Sequence, residues 1–113
     1  MNKRSVGTEV EQRVASYLRG KGMTILASNY RSRVGEIDLI GRDGATLCFI
    51  EVKYRTTTAY GRPEEAVDAR KMHTIRMVAQ HYLATQKLSM DTPIRFDVAA
   101  VTGDRIRYIP NAF

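Results

Sequence analysis

Asp38, Glu51 and Lys53 are the residues of this chain whose types and places could do chemistry. Two acids and one base stand in GEIDLI (35–40) and CFIEVKYR (48–55), segments otherwise rich in apolar and β-branched residues. Such segments read as strands packed into a core. A carboxylate there is costly unless it is paired or holds a metal. Two carboxylates and a lysine on neighbouring strands suit a divalent cation beside a phosphate. Phosphodiester cleavage needs an attacking water and a stabilised leaving oxygen. Mg²⁺ or Mn²⁺ supplies both, and such hard cations take carboxylate and carbonyl oxygens. Asp38 and Glu51 then act as ligands together with the Val52 carbonyl. Lys53 orients or deprotonates the water, or offsets charge on the phosphate. The plainer alternative is a structural salt bridge between Lys53 and one carboxylate, although a buried ion pair is a poor stabiliser.

The elements that must position these residues can be read from periodicity. Val6, Val10, Val14, Tyr17 and Leu18 recur at helical spacing, which predicts a helix over 5–21, with Ser5 as N-cap and Gly20 and Gly22 as the stop. Residues 23–30, 34–41 and 46–54 read as three strands, and Asp43-Gly44 marks a tight hairpin between the last two. The polar run 55–63 reads as a loop. Pro63, Glu64 and Glu65 suit the opening of a second helix, expected from about 64 to 87 with the stripe Val67, Met72, Ile75, Ala79, Tyr82 and Leu83. Residues 94–101 make a fourth strand, and RIRYIP a short fifth after the turn at Thr102-Gly103-Asp104. The order α-β-β-β-α-β predicts an α/β fold. An antiparallel meander of three strands is followed by a crossover helix that returns the fourth strand parallel to the third, with helices on both faces of one mixed sheet.

Side chains alternate across a strand, so Leu47, Phe49, Glu51 and Lys53 share one face. Asp38 and Glu51 are read as unequally distant from the hairpin turn, so a bulge or an offset pairing is expected to bring them together. Glu11 shares a helix face with Ala15 and Leu18, which places it at the border of the buried stripe. It is either a fourth member of the site or a solvated helix acid.

The chain has 113 residues, fits one domain over 1–113, and at 43% hydrophobic buries a core without staples. The lone Cys48 forms no intrachain disulfide and suits a reducing cytosol. No apolar leader or membrane-length run is present, so a cytoplasmic protein without a membrane partner is expected. The net charge of +6 favours anionic partners, nucleic acid first. Arg31, Arg33, Arg55, Arg62, Arg70 and Lys71 lie in sequence around the acids, where as a group they would grip phosphates and singly read as solvated charge. Tyr54 and Tyr60 are read as packing residues before base-stacking ones. His73 and His81 read as helix-surface residues.

Asp38, twelve intervening residues, then Glu51-Val52-Lys53 resembles the PD-(D/E)xK nuclease motif, with Ile37 in place of its proline. The segments GTEVE (7–11), NYRSRVGEIDLI (29–40), FIEVKYR (49–55), GRPEEAV (61–67) with Lys71, and RFDV (95–98) are similar to the YraN-like proteins, an uncharacterised bacterial protein family. These are thought to be distant relatives of archaeal Holliday-junction resolvases. The similarity covers nearly the whole chain. It implies a restriction-endonuclease-like fold and a metal-dependent endonuclease acting on DNA, with branched or junction DNA as a candidate substrate. The alternative is a non-catalytic nucleic-acid-binding module that keeps the fold. It also implies that Glu11 matches the acid that resolvases carry on their first helix. Gln12 stands where they usually have an arginine, a contact that Arg13 could replace. Glu36 is implied as an additional group near the metal or a solvated acid, and Arg55 and Lys71 match basic family positions. A homodimer follows only by analogy with resolvases, which act as two-fold dimers.

Overall fold

The structure is a computed structural model that describes residues 3–55 and 68–113. The described residues form α1 (Lys3–Gly20), β1 (Thr24–Ser32), β2 (Gly35–Asp43), β3 (Thr46–Arg55), α2 (Ala69–Thr85), β4 (Ile94–Thr102) and β5 (Arg105–Ile109). The strands make one sheet in the order β1-β2-β3-β4-β5. β3 and β4 are parallel, and the other neighbours are antiparallel. This is the α/β topology expected from the sequence. Among the described residues no helix is long and apolar enough to cross a membrane.

Two boundaries differ from expectation. Ser5 lies inside α1, which already begins at Lys3. α2 begins at Ala69, because Asp68 is extended and its carboxylate accepts the Lys71 N–H at 2.9 Å. The aspartate at the N-cap sets that start; Pro63, Glu64, Glu65 and Val67, on which the expected earlier opening rests, lie outside the described residues. The stop of α1 is as expected. Gly22 sits at φ +96°, and Met23 N–H and Gly22 N–H donate back to the carbonyls of Leu18 and Arg19, each at 3.0 Å. That pair of bonds satisfies the last turn and needs a left-handed residue where glycine stands.

Among the described residues each face of the sheet is covered by one helix. Val10, Val14, Ala15 and Leu18 of α1 pack on Leu39, Cys48, Ile50, Ala99 and Val101. Ile75, Val78, Ala79, Tyr82 and Leu83 of α2 pack on Ile37, Ile40, Leu47, Phe49 and Phe96. The central strand β3 therefore alternates between the two clusters and is apolar on both faces from Leu47 to Ile50.

One detail of β2 bears on the site. Ile37 and Leu39 are two residues apart and would share a face in a regular strand, yet they belong to opposite clusters. The pairing of β1 with β2 includes Ser28 with Leu39 and Tyr30 with Ile37, and omits Asn29 with Asp38. Asn29 itself lies at φ +52°. The irregularity turns β2 over at Asp38.

Candidate functional site

The site grows from the β2–β3 hairpin. Asp43 pairs with Thr46 across Gly44 and Ala45, and the ladder runs on to Leu39 opposite Ile50. Asp38 and Glu51 are the next residues on each side, five from the closing pair. No offset is required, because the register of the two-residue turn already matches them. The expectation of unequal distances came from centring the turn on Asp43-Gly44. The ladder ends where the acids begin. There the Asp38 carboxylate takes the place of a main-chain acceptor, receiving the Val52 N–H at 2.8 Å.

Glu51 follows Phe49 on the α2 face and is only 5% exposed. Two ammonium groups meet its Oε1. Lys53 approaches to 3.5 Å and Lys71, from the first turn of α2, to 3.7 Å. The salt bridge that was the plainer alternative for Lys53 is therefore present, and it is made with Glu51. The surroundings of Asp38 are less balanced. Burial, and then the negative charge of Glu51, push its carboxyl up to about 7, while the Val52 N–H and the Lys71 charge act against the rise.

Glu11 joins the cluster from α1. Burial and the charge of Asp38 raise its pKa, and a hydrogen bond from the Asn29 side chain opposes this. Its Oε2 is buried with no hydrogen-bond partner among the described residues. The same Asn29 backbone that turns β2 over at Asp38 thus also presents a side chain to Glu11. Glu36 adds its charge to both Asp38 and Glu11, and its own carboxylate is held by the Arg31 guanidinium at 2.9 Å.

The structure thus brings together Glu11, Asp38, Glu51, Val52, Lys53 and Lys71, with Arg31 bound at the margin through Glu36. Arg55 is exposed at the end of β3, where its carbonyl accepts the Gly103 N–H at 3.3 Å. Arg33 lies in the β1–β2 turn and lines a groove of about 480 Å³ with Ser32, Val34, Met77 and His81. Arg70 is exposed on α2, and Arg62 and Tyr60 lie outside the described residues. Tyr54 was expected to pack and is instead 37% exposed, on the α1 face of β3 beyond Val52, the last residue of that face packed against the α1 cluster. His81 accepts or donates a 2.8 Å hydrogen bond with the Tyr30 hydroxyl, so it ties α2 to β1.

Whether these groups suit a cation depends on their chemistry. Among the described residues no three His, Cys, Asp or Glu side chains form a ready coordination shell. The donor set nevertheless fits a hard divalent cation: two opposed carboxylates that repel each other, a peptide carbonyl between Glu51 and Lys53, and a buried glutamate oxygen without a partner. A positive charge placed among them would relieve all three.

A second polar cluster escaped the sequence reading. Asp97 is fully buried in β4. It accepts from Arg95 Nε at 2.9 and 3.1 Å, from the Tyr108 hydroxyl, and from the Asn111 N–H at 2.8 Å. Arg95 also reaches Asp43 at 3.3 Å. An aspartate in the middle of IRFDVAAV was the available signal. Burial and the Asp97 charge raise the neighbouring Cys48 thiol to about 11, so it is a packing residue and not a nucleophile.

Comparison with known proteins places this chain in a family. The model of the uncharacterised protein family UPF0102 matches residues 10–101. The chain belongs to UPF0102. A UPF0102 protein of Lachnoclostridium phytofermentans is 46% identical over 113 residues, covering 100% of this chain and 96% of the relative. One from Serratia proteamaculans is 42% identical, covering 100% and 97%. The UPF0102 protein YraN of Escherichia coli is 40% identical over 111 residues, covering 97% and 85%. The matched span contains Glu11, Asp38, Glu51, Lys53 and Lys71.

Proposed function

We propose that this UPF0102 chain is a metal-dependent endonuclease that hydrolyses phosphodiester bonds in DNA, with branched or junction DNA as its substrate class and the cytoplasm as its place of action. The observation that carries the reading is the meeting of Asp38 and Glu51 at the end of the β2–β3 ladder, beside two lysines, with the Asp38 carboxyl raised by its surroundings. Structural ion pairs do not need a second carboxylate that repels the first. Sites selected for chemistry accept that cost.

Asp38, Glu51 and the Val52 carbonyl would hold Mg²⁺ or Mn²⁺, with Glu11 completing the set. When bound, the cation supplies charge stabilisation at the phosphate and a more acidic water. The chain's own side chains do the rest. Lys53 shares the face of Glu51 and positions the attacking water or offsets charge on the phosphate. Lys71, Arg55, Arg31 and Arg33 contact the DNA backbone, which fixes position without reading sequence. Cutting a junction symmetrically requires two such sites, so a homodimer accompanies the branched-DNA reading.

A non-catalytic nucleic-acid-binding module is the second reading, and the observation that favours it is that Lys53 and Lys71 already neutralise Glu51. Supercoiled plasmid, a four-way junction and RNA incubated with Mg²⁺ or Mn²⁺ separate the two. Cleavage by the wild type and its loss in Glu51→Gln support the nuclease. Salt-sensitive binding without turnover, unchanged by Lys53→Ala, supports the binding module. The absence of cleavage on every substrate, together with no cation binding by calorimetry, sinks the leading reading.

A further inference from the structure

Glu51 carries more cationic partners than a carboxylate needs. Lys53 is two residues away on the same strand face, so its proximity follows from the strand itself. Lys71 does not. It comes from another element, and Asp68 caps α2 in a way that sets Lys71 in the first turn, over the end of β3. A lysine there is also poorly placed for its own helix, because the N-terminal turn carries partial positive charge. Its side chain is 38% exposed while Glu51 is 5% exposed, so the ammonium is open to solvent and the carboxylate is nearly enclosed.

We propose that Lys71 is a placeholder for the divalent cation: in the cation-free protein its ammonium neutralises Glu51, and cation binding releases it to a DNA phosphate. This rests on the metal-dependent reading given above and deepens it by assigning one residue two successive partners. The electrostatics require the exchange. A divalent charge at Glu51 turns the attraction that holds Lys71 into repulsion, and at separations of a few ångströms such terms are not screened by salt. Lys53 is 22% exposed and fixed to the central strand, so it stays on the site face while Lys71, on a side chain with outward access, leaves. Lys71 thereby exchanges one anion for another, and its departure offsets one of the two positive charges that the cation brings into the site.

The test uses the full chain, with Lys71→Gln to remove the charge and Lys71→Arg to keep it. Mn²⁺ affinity is measured by calorimetry. DNA affinity is measured against salt, with and without Mn²⁺, on a phosphorothioate four-way junction whose backbone keeps its charge and resists hydrolysis. Lys71→Gln is expected to bind Mn²⁺ about three- to tenfold more tightly than wild type, because no competing cation must leave. Lys71→Arg is expected to bind Mn²⁺ like wild type. With Mn²⁺ present, the slope of log affinity against log salt is expected to fall by about 0.9 in Lys71→Gln, the loss of one phosphate contact, and to match wild type without Mn²⁺. Mn²⁺ affinity that is unchanged or weakened in Lys71→Gln overturns the placeholder, as does a slope deficit equal in both conditions. Wild type that binds no Mn²⁺ refutes the metal-dependent reading, and the placeholder with it. Wild type that binds Mn²⁺ and shows no difference from Lys71→Gln refutes the placeholder alone.

Discussion

Replacing Asp38 by asparagine removes a charge and keeps an oxygen able to accept the Val52 N–H. The wild-type carboxyl is raised from 3.8 to about 7, by burial first and by Glu51 second. A raised carboxyl means that the folded protein holds its proton more tightly than the unfolded chain. Stability therefore falls as pH rises from about 4 to about 7 and is flat above that window. The full difference corresponds to a ceiling of about 4 kcal/mol at pH 8. Rearrangement of Lys71 and entry of water reduce it, and about 1–3 kcal/mol is expected. For a domain of this size that is a rise in Tm of roughly 4–12 °C for Asp38→Asn. Thermal unfolding in EDTA at pH 8 and at pH 4 measures it. The gain should be large at pH 8 and small at pH 4, where the folded carboxyl is protonated and the unfolded one is close to its ordinary midpoint of 3.8. Adding Mg²⁺ should stabilise wild type and not the variant. A lower Tm for Asp38→Asn at pH 8 refutes the reasoning, for it would mean that the carboxylate is held by favourable partners and serves the fold.

Three further outcomes follow from other parts of the molecule. Glu51→Gln leaves Lys53 and Lys71 facing each other without their anion; it should abolish Mn²⁺ binding in calorimetry and lower any DNA cleavage at least a hundredfold, roughly the loss of one transition-state charge contact. Asp97→Asn breaks the ion pair between the fully buried Asp97 and the partly exposed Arg95 and should cost about 3–5 kcal/mol in urea unfolding while Mn²⁺ affinity stays at the wild-type value. Asp68→Ala removes the N-cap of α2 and should cost about 1 kcal/mol in the same assay, and because the cap sets Lys71, it should also shift Mn²⁺ affinity.

The parts of the fold that rest on local pattern were legible in the sequence. Alternation assigned Glu51 and Lys53 to one face of β3, and the Asp43-Gly44 signal found the β2–β3 hairpin, although centring the turn there set it one residue too early. The crossover to a parallel β4 followed from the helix between the strands. What was not legible depended on contacts distant in sequence. Lys71 reads as surface charge until α2 is laid over β3. The turning of β2 at Asp38 needs the left-handed Asn29 on the neighbouring strand, and no period within GEIDLI announces it. Asp97 is the exception, because a lone acid inside an apolar strand is visible without any partner.

The position of β3 in the sheet has a consequence for how the chain reaches this structure. β1, β2 and β3 are consecutive and can pair as soon as they are made, whereas β4 starts at Ile94. Until then β3 is an open edge, and its buried run from Leu47 to Ile50 offers unpaired backbone and apolar side chains to any other nascent chain. Glu51 and Lys53 interrupt that run before it grows to the length at which such edges stack into aggregates. The charges that strain the finished sheet act as gatekeepers of the unfinished one, so variants that neutralise both should gain stability once folded and lose yield on the way there.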